Sequence, residues 1–569
     1  MEKYDLRTQL WIPWRRRDGT IEWGSPSLLL DDLTGENPIV DLATSRVDFD
    51  AALLEFIIGV YTACLAPADD EEWLEFWQNP PTVEALAVAL AALPDAFNLC
   101  AESGPLFLQD YSTADLADQD VLPVERLIID SPGEQTLKLN KAHFVRPSRF
   151  DVLGLPAAAM ALITMQTYAP SGGAGNRTSM RGGGPLTTLV DPRSATGDSP
   201  AQLAPLWHKV WMNVATRENL KEIADAPRRP RGDIDALIFP WLARTRVSMK
   251  GEVPVTPLDA HPLQAFFGMP RRVRLEIGER GVCDLTGLEN TRTVRGFRMR
   301  NYGVNYEGWE HPFSPHYRQK EGAEWLPVHG QPSGLCWRDW PGLSLFVGGS
   351  NRKPAAVVRW AQQRCQSLPG VRLRIHAFGF DLDNMKARGW VDVTQPLLLL
   401  DPAQLRRLHT MSVNMVEATG LVASQLVRQI KQAEFGEDKG VGGDWAWVRD
   451  TLYDATEPTF FGAVQRCEKV GVSAAQVQEE QTAFARVLSK EALTIFDARC
   501  QTAGANVVVL RRVVIARAEL RRLLSGYTPL GEKLYKQLEL PLPGGGREQR
   551  ASKAKTSKSK RSTPTSAEA

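Results

Sequence analysis

The chain has few of the features that mark secreted, membrane or metal-binding proteins. Its seven cysteines are scattered without a C-x-x-C pair, and its eight histidines form no H-E-x-x-H or similar pair. Spaced in this way, they support neither a disulfide framework nor a zinc site. No apolar run approaches the roughly 20 residues of a membrane span, and the first residues do not resemble a signal peptide. These absences predict a cytoplasmic protein with no bound metal, no cofactor and no membrane partner.

No catalytic constellation is recognisable either. The acidic residues at 69–72 stand in one run beside a predicted helix, where solvation is a sufficient explanation. Serine, histidine and aspartate in the order of a nucleophilic triad can be picked from any chain of this length. With 569 residues, the chain can form two or more domains with sizeable cores. We therefore expect a multidomain protein that is not an enzyme.

Basic residues are almost absent from one stretch of the chain and abundant in another. Residues 41–120 contain sixteen Asp or Glu and a single basic residue, Arg46, whereas residues 227–300 contain fourteen basic and eight acidic residues. An acidic surface repels a polyanion and a basic surface attracts it. Nucleic acid is expected to approach the second stretch and to avoid the first, unless both are merely solvated faces.

Hydrophobic periodicity divides the chain into a mixed part and a helical part. A hairpin with a turn at Asp18-Gly19, two apolar helices near 51–66 and 81–93 and a buried helix at 155–166 are predicted in the first part. From Asp401 onward, apolar residues recur at helical spacing in about four stretches. The predicted fold class is α+β, with a mixed α/β N-terminal domain over 1–395, an all-α four-helix bundle over 396–540 and a disordered basic tail over 541–569.

The most unusual stretch covers residues 171–185 and reads SGGAGNRTSMRGGGP, with six glycines and the arginines Arg177 and Arg181. Glycine adopts positive φ and lets a backbone approach a partner closely, because it has no Cβ, and the arginines indicate an anionic partner. The enzymatic alternative is a phosphate cradle of a nucleotide-dependent enzyme, but that loop needs a closing Gly-Lys-Ser/Thr, and no lysine occurs here. A surface loop without a ligand is the simplest alternative.

Five segments, in order along the chain, resemble the large subunit of the type I-E Cascade, the CRISPR interference complex. They are the lead YDLRTQLWIPWRRRDG, an acidic helical region, the dipeptide Phe144-Val145, the glycine-rich stretch running into RGGGPLTTLV, and WEHPFSP at 309–315. The resemblance covers residues 1–530 and implies a non-catalytic subunit that reads the protospacer-adjacent motif (PAM) of double-stranded target DNA, helps to open the duplex and start the R-loop, and recruits a helicase-nuclease. The other implied partners are the crRNA 5′ handle and the backbone, handle-binding and small subunits of the complex.

The resemblance also assigns the residues that meet the PAM. Four residues match the tip of a loop that touches the duplex from the minor-groove side, with Arg177 beside it: Gly173, Ala174, Gly175 and Asn176. Because the minor groove is only about 6 Å wide and shows a degenerate acceptor pattern, a backbone with few side chains reads it tolerantly. Arg298 and Arg300, which fall on one face of a predicted strand, match a basic residue that reaches the duplex.

Two further groups follow from the resemblance. Phe144 and Arg146 match a loop near the crRNA handle and the PAM, where a ring and cations suit nucleic acid; a core phenylalanine is the alternative. Leu335, Trp337 and Arg338 match a loop with a wedge residue, a glutamine in well-known relatives, that splits the first base pair. Large planar groups can unstack bases, but a tryptophan-rich core turn explains this stretch equally well. The basic runs at 228–231 and 271–274 are expected to be solvated loops.

Overall fold

The computed structural model describes residues 2–112, 114–142, 145–146, 148–192, 204–223, 233–249, 253–368, 371–383, 386–436, 440–501 and 506–543. The chain forms two compact units, Met1–Leu335 with Gly342–Leu399, and Cys336–Pro341 with the chain from Leu400 onward. The break at Leu399 lies close to the boundary expected at residue 395. No pattern in the sequence predicts that Cys336–Pro341 joins the second unit. The expectations for 228–231 and for the tail beyond residue 543 concern residues outside the described ranges.

In the described part of the chain the strands form five small antiparallel sheets, ordered β1-β5, β3-β2-β4, β12-β11-β13, β15-β14-β8, and β6-β10-β7 with β9 also on β10. The strands are β1 (Tyr4–Asp5), β2 (Ile12–Arg16), β3 (Ile21–Gly24), β4 (Ile39–Leu42), β5 (Asn98–Cys100), β6 (Leu122–Pro123), β7 (Leu153–Gly154), β8 (Thr187–Asp191), β9 (Arg272–Gly281), β10 (Thr291–Arg300), β11 (His316–Tyr317), β12 (Leu326–Pro327), β13 (Arg352–Lys353), β14 (Leu373–Asp383) and β15 (Lys386–Leu397). The pair β2 and β3 confirms the hairpin predicted around Asp18-Gly19.

The helices are interspersed with these strands up to Leu397 and then follow one another. They are α1 (Val47–Leu65), α2 (Asp70–Gln78), α3 (Val83–Ala91), α4 (Glu134–Lys138), α5 (Leu155–Thr167), α6 (Leu206–Met212), α7 (Arg217–Ile223), α8 (Ile234–Ile238), α9 (Trp340–Ser344), α10 (Ala356–Arg364), α11 (Pro402–Phe435), α12 (Ala446–Val470), α13 (Ala474–Arg499), α14 (Val507–Leu524) and α15 (Pro529–Gln537). Among the described residues no single helix has the length and apolarity of a membrane span; α1 and α2 meet that criterion only as a pair bent by 110°.

Two helices of the first unit are almost wholly buried, as their apolar sequences predict. α1 carries Asp48 and Asp50 in its first turn, where the helix dipole favours negative charge, and an apolar run follows. α5 has Pro156 in its first turn, where the fixed φ of proline suits a helix start, and every residue from Leu155 to Gln166 is buried. Because α5 ends at Thr167, a rigid helix leads directly into the glycine-rich stretch.

The hairpin of β9 and β10 brings both of its ends to that stretch. Arg272, the first residue of β9, pairs with Arg300, the last residue of β10, so that Arg271 and Asn301 leave the hairpin side by side. β10 confirms the strand predicted for RGFRMR. On the other side, β8 follows the stretch and pairs with β14. The glycine-rich stretch is therefore framed by a helix, a hairpin and a sheet strand.

The second unit contains four long helices, α11 to α14, and the short α15. Three of the long helices begin at a residue whose side chain accepts hydrogen bonds from the first-turn backbone, namely Asp401, Ser473 and Asn506. Such capping satisfies amide groups that have no partner within the helix. The predicted all-α C-terminal part with four principal helices is confirmed.

Candidate nucleic-acid interface

The tip of the glycine loop, residues 171–185, combines exposure with tight packing. Gly173 and Ala174 are exposed, and Gly173 and Gly175 have φ values of 78° and 75°, in the left-handed region that side chains disfavour. A Cβ added to Gly175 would lie 2.9 Å from Cβ of Asn301 and 3.0 Å from Cε1 of Tyr302. The tip therefore needs glycine both for its conformation and for its contact with the chain after β10.

That chain segment supports the tip through hydrogen bonds. The backbone N–H of Tyr302 donates to the carbonyl of Gly175 at 2.8 Å, and Nδ2 of Asn301 donates to the carbonyl of Ala174 at 2.8 Å. Both supporting residues are exposed beside the loop, Tyr302 at 39%. No pattern in the sequence marks these two residues as part of the site, although they directly follow the basic strand β10.

A buried arginine supports the loop from the start of β9. Arg271 is only 5% exposed, and it donates to Oδ1 of Asn176 at 2.5 Å and to the carbonyl of Pro170 at 2.6 Å. Burial lowers the pKa of Arg271 to about 10, because the charged form loses hydration. Its neighbour Arg272 is buried as well and pairs with Asp110 and Asp115. The expectation that 271–274 is a solvated loop is wrong, since these side chains have partners inside the unit.

The second arginine of the glycine loop is also an internal residue. Arg181 is 3% exposed; it donates to Glu55 of α1 at 2.6 Å and to the hydroxyl of Thr187 at 2.9 Å. The hydroxyl of Tyr168 donates to the same carboxylate at 2.7 Å, and burial and that charge raise the pKa of Tyr168 well above its ordinary value. The inference that Arg181 marks an anionic external partner is therefore wrong: its anion is Glu55.

Arg177 lies closer to the surface, at the opposite end of the tip. It is half-buried, and its guanidinium donates to the hydroxyl and to the carbonyl of Ser248, both at 2.5 Å. The hydroxyl of Ser248 in turn donates to the carbonyl of Gly303 at 2.5 Å. Arg177 thus ties the loop to the chain that follows Tyr302, while part of its side chain stays accessible.

Arg298 and Arg300 lie on one face of β10, as the alternation predicts. Arg298 donates to Glu276 at 2.6 Å and to the carbonyl of Ala117 at 3.2 Å, and Arg300 donates to the carbonyl of Asp115 at 2.5 Å. The basic stretch therefore contacts the backbone of the acidic stretch, and Arg272 forms ion pairs with its Asp110 and Asp115. Arg300 remains exposed and immediately precedes Asn301, so the structure brings it beside the glycine-loop tip.

The chain just before the 330–340 segment is hydrogen-bonded to the end of the glycine loop and to the residue that follows it. The backbone N–H of Leu186, just after the loop, donates to the carbonyl of Val328 at 3.0 Å, and Nε2 of His329 lies 3.2 Å from the carbonyl of Arg181. A tight turn follows, closed by the N–H of Gly334 donating to the carbonyl of Gln331 at 2.9 Å. The three residues Gln331, Pro332 and Ser333 are exposed on this turn.

Trp337, one of the three predicted wedge residues, lies in the core of the second unit. It is 0% exposed, its ring stacks on Phe460 at 4.5 Å, and its indole N–H donates to the carbonyl of Tyr453 at 2.9 Å. This placement matches the alternative of a tryptophan-rich core turn, because the indole offers no surface to a base. Leu335 is half-buried, and Arg338 lies over the ring of Tyr453 at 5.4 Å; a wedge role for these two stays a prediction.

The predicted handle-binding loop is described only in part. Phe144 lies outside the described residues, and Arg146 is exposed. Nearby, Arg149 is held by Asp130 at 3.0 Å and by Glu125. The handle assignment for Phe144 and Arg146 therefore stays a prediction, while the glycine-loop tip, Arg177 and Arg300 form one continuous region.

Comparisons with known proteins agree with the fold. The family model described as CRISPR-associated protein Cse1 matches residues 5–495. Thermus thermophilus CasA (Cse1) is similar with a TM-score of 0.63 and 19% identity, over 92% of this chain and 99% of that chain. Thermobifida fusca Cse1 gives 0.63 and 17%, over 94% and 98%. A chain of a CRISPR RNA-guided surveillance complex gives 0.64 and 18%, over 91% and 100%.

At these identities the solved structures establish a shared fold, and the family model adds a match over most of the sequence. Their coverage leaves little of either chain unmatched, so both units take part in the likeness. This chain therefore belongs to the Cse1 family, the CasA large subunits of the type I-E Cascade surveillance complex.

Proposed function

We propose that this protein reads the PAM of target DNA for the complex by inserting the tip of its glycine loop into the minor groove. The observation that carries the proposal is the construction of the tip: exposed residues with almost no side chain, Gly173 and Ala174, fixed in place by Asn301 and Tyr302. A groove about 6 Å wide admits such a backbone. Because the tip is already ordered, little conformational entropy is lost when it enters.

Electrostatic attraction supplies the affinity in this proposal. Arg300, which is exposed, and Arg177, which is half-buried, would bind the phosphates on either side of the minor groove. Cations that neutralise phosphates release counterions, so binding gains a salt-dependent term without sequence information. The guide RNA would supply the sequence specificity by base pairing, while the protein reads a short duplex signal.

Duplex opening is assigned in this proposal to the exposed turn at 331–333. Pro332, next to Gln331, has a compact apolar side chain. Apolar side chains of this kind unstack base steps when they enter the minor groove. The turn is connected to the glycine loop through Val328 and Leu186, which suits it to act on the base pair beside the PAM. Trp337 would hold the chain after this turn in place and would not itself separate the bases.

The remaining roles follow from membership in the family. The protein would dock beside the crRNA 5′ handle through the loop that contains Arg146, contact the other Cascade subunits and recruit the helicase-nuclease, without chemistry of its own. A nucleotide-dependent enzyme is disfavoured, because the glycine loop closes without lysine and its Arg181 is paired with Glu55, which leaves that guanidinium no freedom to hold a phosphate.

The test is a salt-controlled gel shift of the reconstituted complex on target duplexes with randomised PAM positions. We expect Gly173→Asp to lower affinity at least tenfold and to abolish PAM discrimination, since a carboxylate at the tip repels phosphate. The control is Gly322→Asp, because Gly322 is also exposed and also has a φ of 78°. An added Cβ meets no atom within 4 Å at Gly322, whereas at Gly173 it lies 2.9 Å from Nδ2 of Asn176. Equal behaviour of the two variants, or full target opening without this subunit, would overturn the proposal.

A further inference from the structure

The side chain of Asn176 is held in one orientation by the loop around it. Its Oδ1 accepts a hydrogen bond from Nη1 of Arg271 at 2.5 Å, and its backbone N–H donates to the carbonyl of Gly173 at 3.4 Å. Since a guanidinium only donates, the oxygen of the amide must face Arg271. The amide nitrogen, Nδ2, therefore points the other way.

Nδ2 of Asn176 lies against the exposed tip. A Cβ built on Gly173 would be 2.9 Å from this nitrogen, which places the NH₂ group over the backbone of Gly173. An NH₂ group is a donor only. Asn176 is half-buried beside the exposed Gly173, so the tip carries a hydrogen-bond donor from a side chain in addition to its backbone.

The support under this donor is firm. Among the described residues, the guanidinium of Arg271 bonds two neutral oxygens, Oδ1 of Asn176 and the carbonyl of Pro170. The backbone of Arg271 is fixed as well, because it exchanges hydrogen bonds with the side chain of Gln166, both at 3.0 Å. Rotation of the amide would leave Nδ2 facing a buried cation with no acceptor, which is costly.

A fixed donor distinguishes base pairs by the minor-groove edge. A·T and T·A pairs show only acceptors there, whereas a G·C pair adds the amino group of guanine, which is itself a donor. Two donors facing each other cannot bond, and each then loses its water. A tip with a fixed NH₂ group therefore favours a pair without the guanine amino group.

We propose that Asn176 is a specificity-determining residue of PAM reading and that Arg271 is its positioning residue, together selecting against the guanine amino group at the base pair that the tip meets. This inference rests on the proposed minor-groove function. It assigns a base preference to one side chain, which the glycine backbone alone does not provide.

The experiment compares G·C with inosine·C at each PAM position in the reconstituted complex, because inosine lacks only the amino group. We expect the wild type to bind the inosine duplex about tenfold more tightly at one position, within the range for a single base contact. In Asn176→Asp the discrimination should fall to within about twofold, because the donor is replaced by an acceptor. That variant keeps its fold, since a carboxylate can still accept from Arg271.

The matched control is Asn351→Asp, because Oδ1 of Asn351 likewise accepts from an arginine, Arg318, at 3.1 Å, on a different sheet. This control should discriminate like the wild type. The positioning role is tested by Arg271→Lys, which keeps the charge but bonds fewer acceptors. We expect this variant to discriminate about threefold, between the wild type and Asn176→Asp.

The outcomes separate this inference from the proposed function. If the wild type depends on the PAM but binds G·C and inosine·C equally at every position, or if Asn176→Asp discriminates like the wild type, this inference is overturned and the minor-groove function stands. If the complex opens all targets equally with or without this subunit, the function itself fails.

Discussion

The glycine loop and the 330–340 segment use their conspicuous residues in opposite ways. In the glycine loop the small residues of the tip face outward above buried arginines. Arg181 of the loop bonds Glu55, and Arg271, just before β9, bonds Asn176. In the 330–340 segment the large residue, Trp337, is buried on Phe460, and a small turn at 331–333 faces outward. In both places the large side chain is buried, and the exposed surface is left to small residues close to it in the sequence or bonded to it.

The difference lies in the kind of anchor. The glycine loop is anchored by charged groups, which hold hydrogen-bond geometry but are expensive to bury unless they are paired. The 330–340 segment is anchored by an aromatic ring, which buries a large apolar area with little directionality. In the proposed function, the minor-groove reader needs its backbone fixed closely, whereas the turn that separates the bases needs mainly firm support from the chain around it. Three substitutions test this contrast.

The largest effect is expected for the aromatic anchor. Trp337→Ala removes a fully buried indole and its bond to Tyr453, so we expect the second unit to lose about 4 kcal/mol of unfolding free energy. Denaturant unfolding of the purified protein measures this. The control is Trp447→Ala, a tryptophan of the same unit that is 44% exposed, for which the loss should stay below about 1 kcal/mol. Equal losses for the two would show that Trp337 is not an anchor.

The charged anchor should be next in size. Arg181→Met leaves the carboxylate of Glu55 buried without its cation, and breaking such a pair costs about 3 kcal/mol. The control within the loop is Arg177→Met, which removes the bonds of a half-buried guanidinium to Ser248 at a cost of about 1 kcal/mol. Thermal unfolding ranks the two variants. If Arg177→Met proved the more damaging, the loop would be anchored at its tip instead.

The smallest change in stability, with a distinct functional effect, is expected at the outward turn. Gln331→Ala should alter the unfolding free energy by less than about 0.5 kcal/mol, as for other exposed positions. Opening of the base pair beside the PAM, followed by the fluorescence of a base analogue placed there, should slow several-fold. Gln319→Ala, at another exposed glutamine, should leave the rate unchanged. Unaltered opening in Gln331→Ala would move the wedge elsewhere in the 330–340 segment.

Local patterns in the sequence predict the parts of the structure that depend on local physics. The β2–β3 hairpin follows from its Asp18-Gly19 turn, α5 from an unbroken apolar run, and the helices after Asp401 from their spacing. The backbone conformation of the glycine-loop tip is predicted for the same reason, because glycine adopts positive φ without steric cost.

The anchors could not be predicted, because burial of a polar or aromatic group depends on a distant partner. Arg181 and Glu55 are 126 residues apart, Asn176 and Arg271 are 95 apart, and Trp337 and Tyr453 are 116 apart. An arginine next to glycines, or a tryptophan next to an arginine, looks the same in sequence whether it faces DNA or the core. Only the fold decides which of the two it does.

The membership of Cys336–Pro341 in the second unit also affects how the protein is made. Trp337 leaves the ribosome well before Phe460, on which it stacks, and at about 5–20 residues per second the delay is on the order of ten seconds. During that time the indole lacks the three rings that pack against it, those of Tyr453, Phe460 and Phe484, and a chain ended at Leu399 would never provide them. Dissecting this protein into separately expressed halves at that break would therefore leave one half with an exposed tryptophan and the other with an unfilled core.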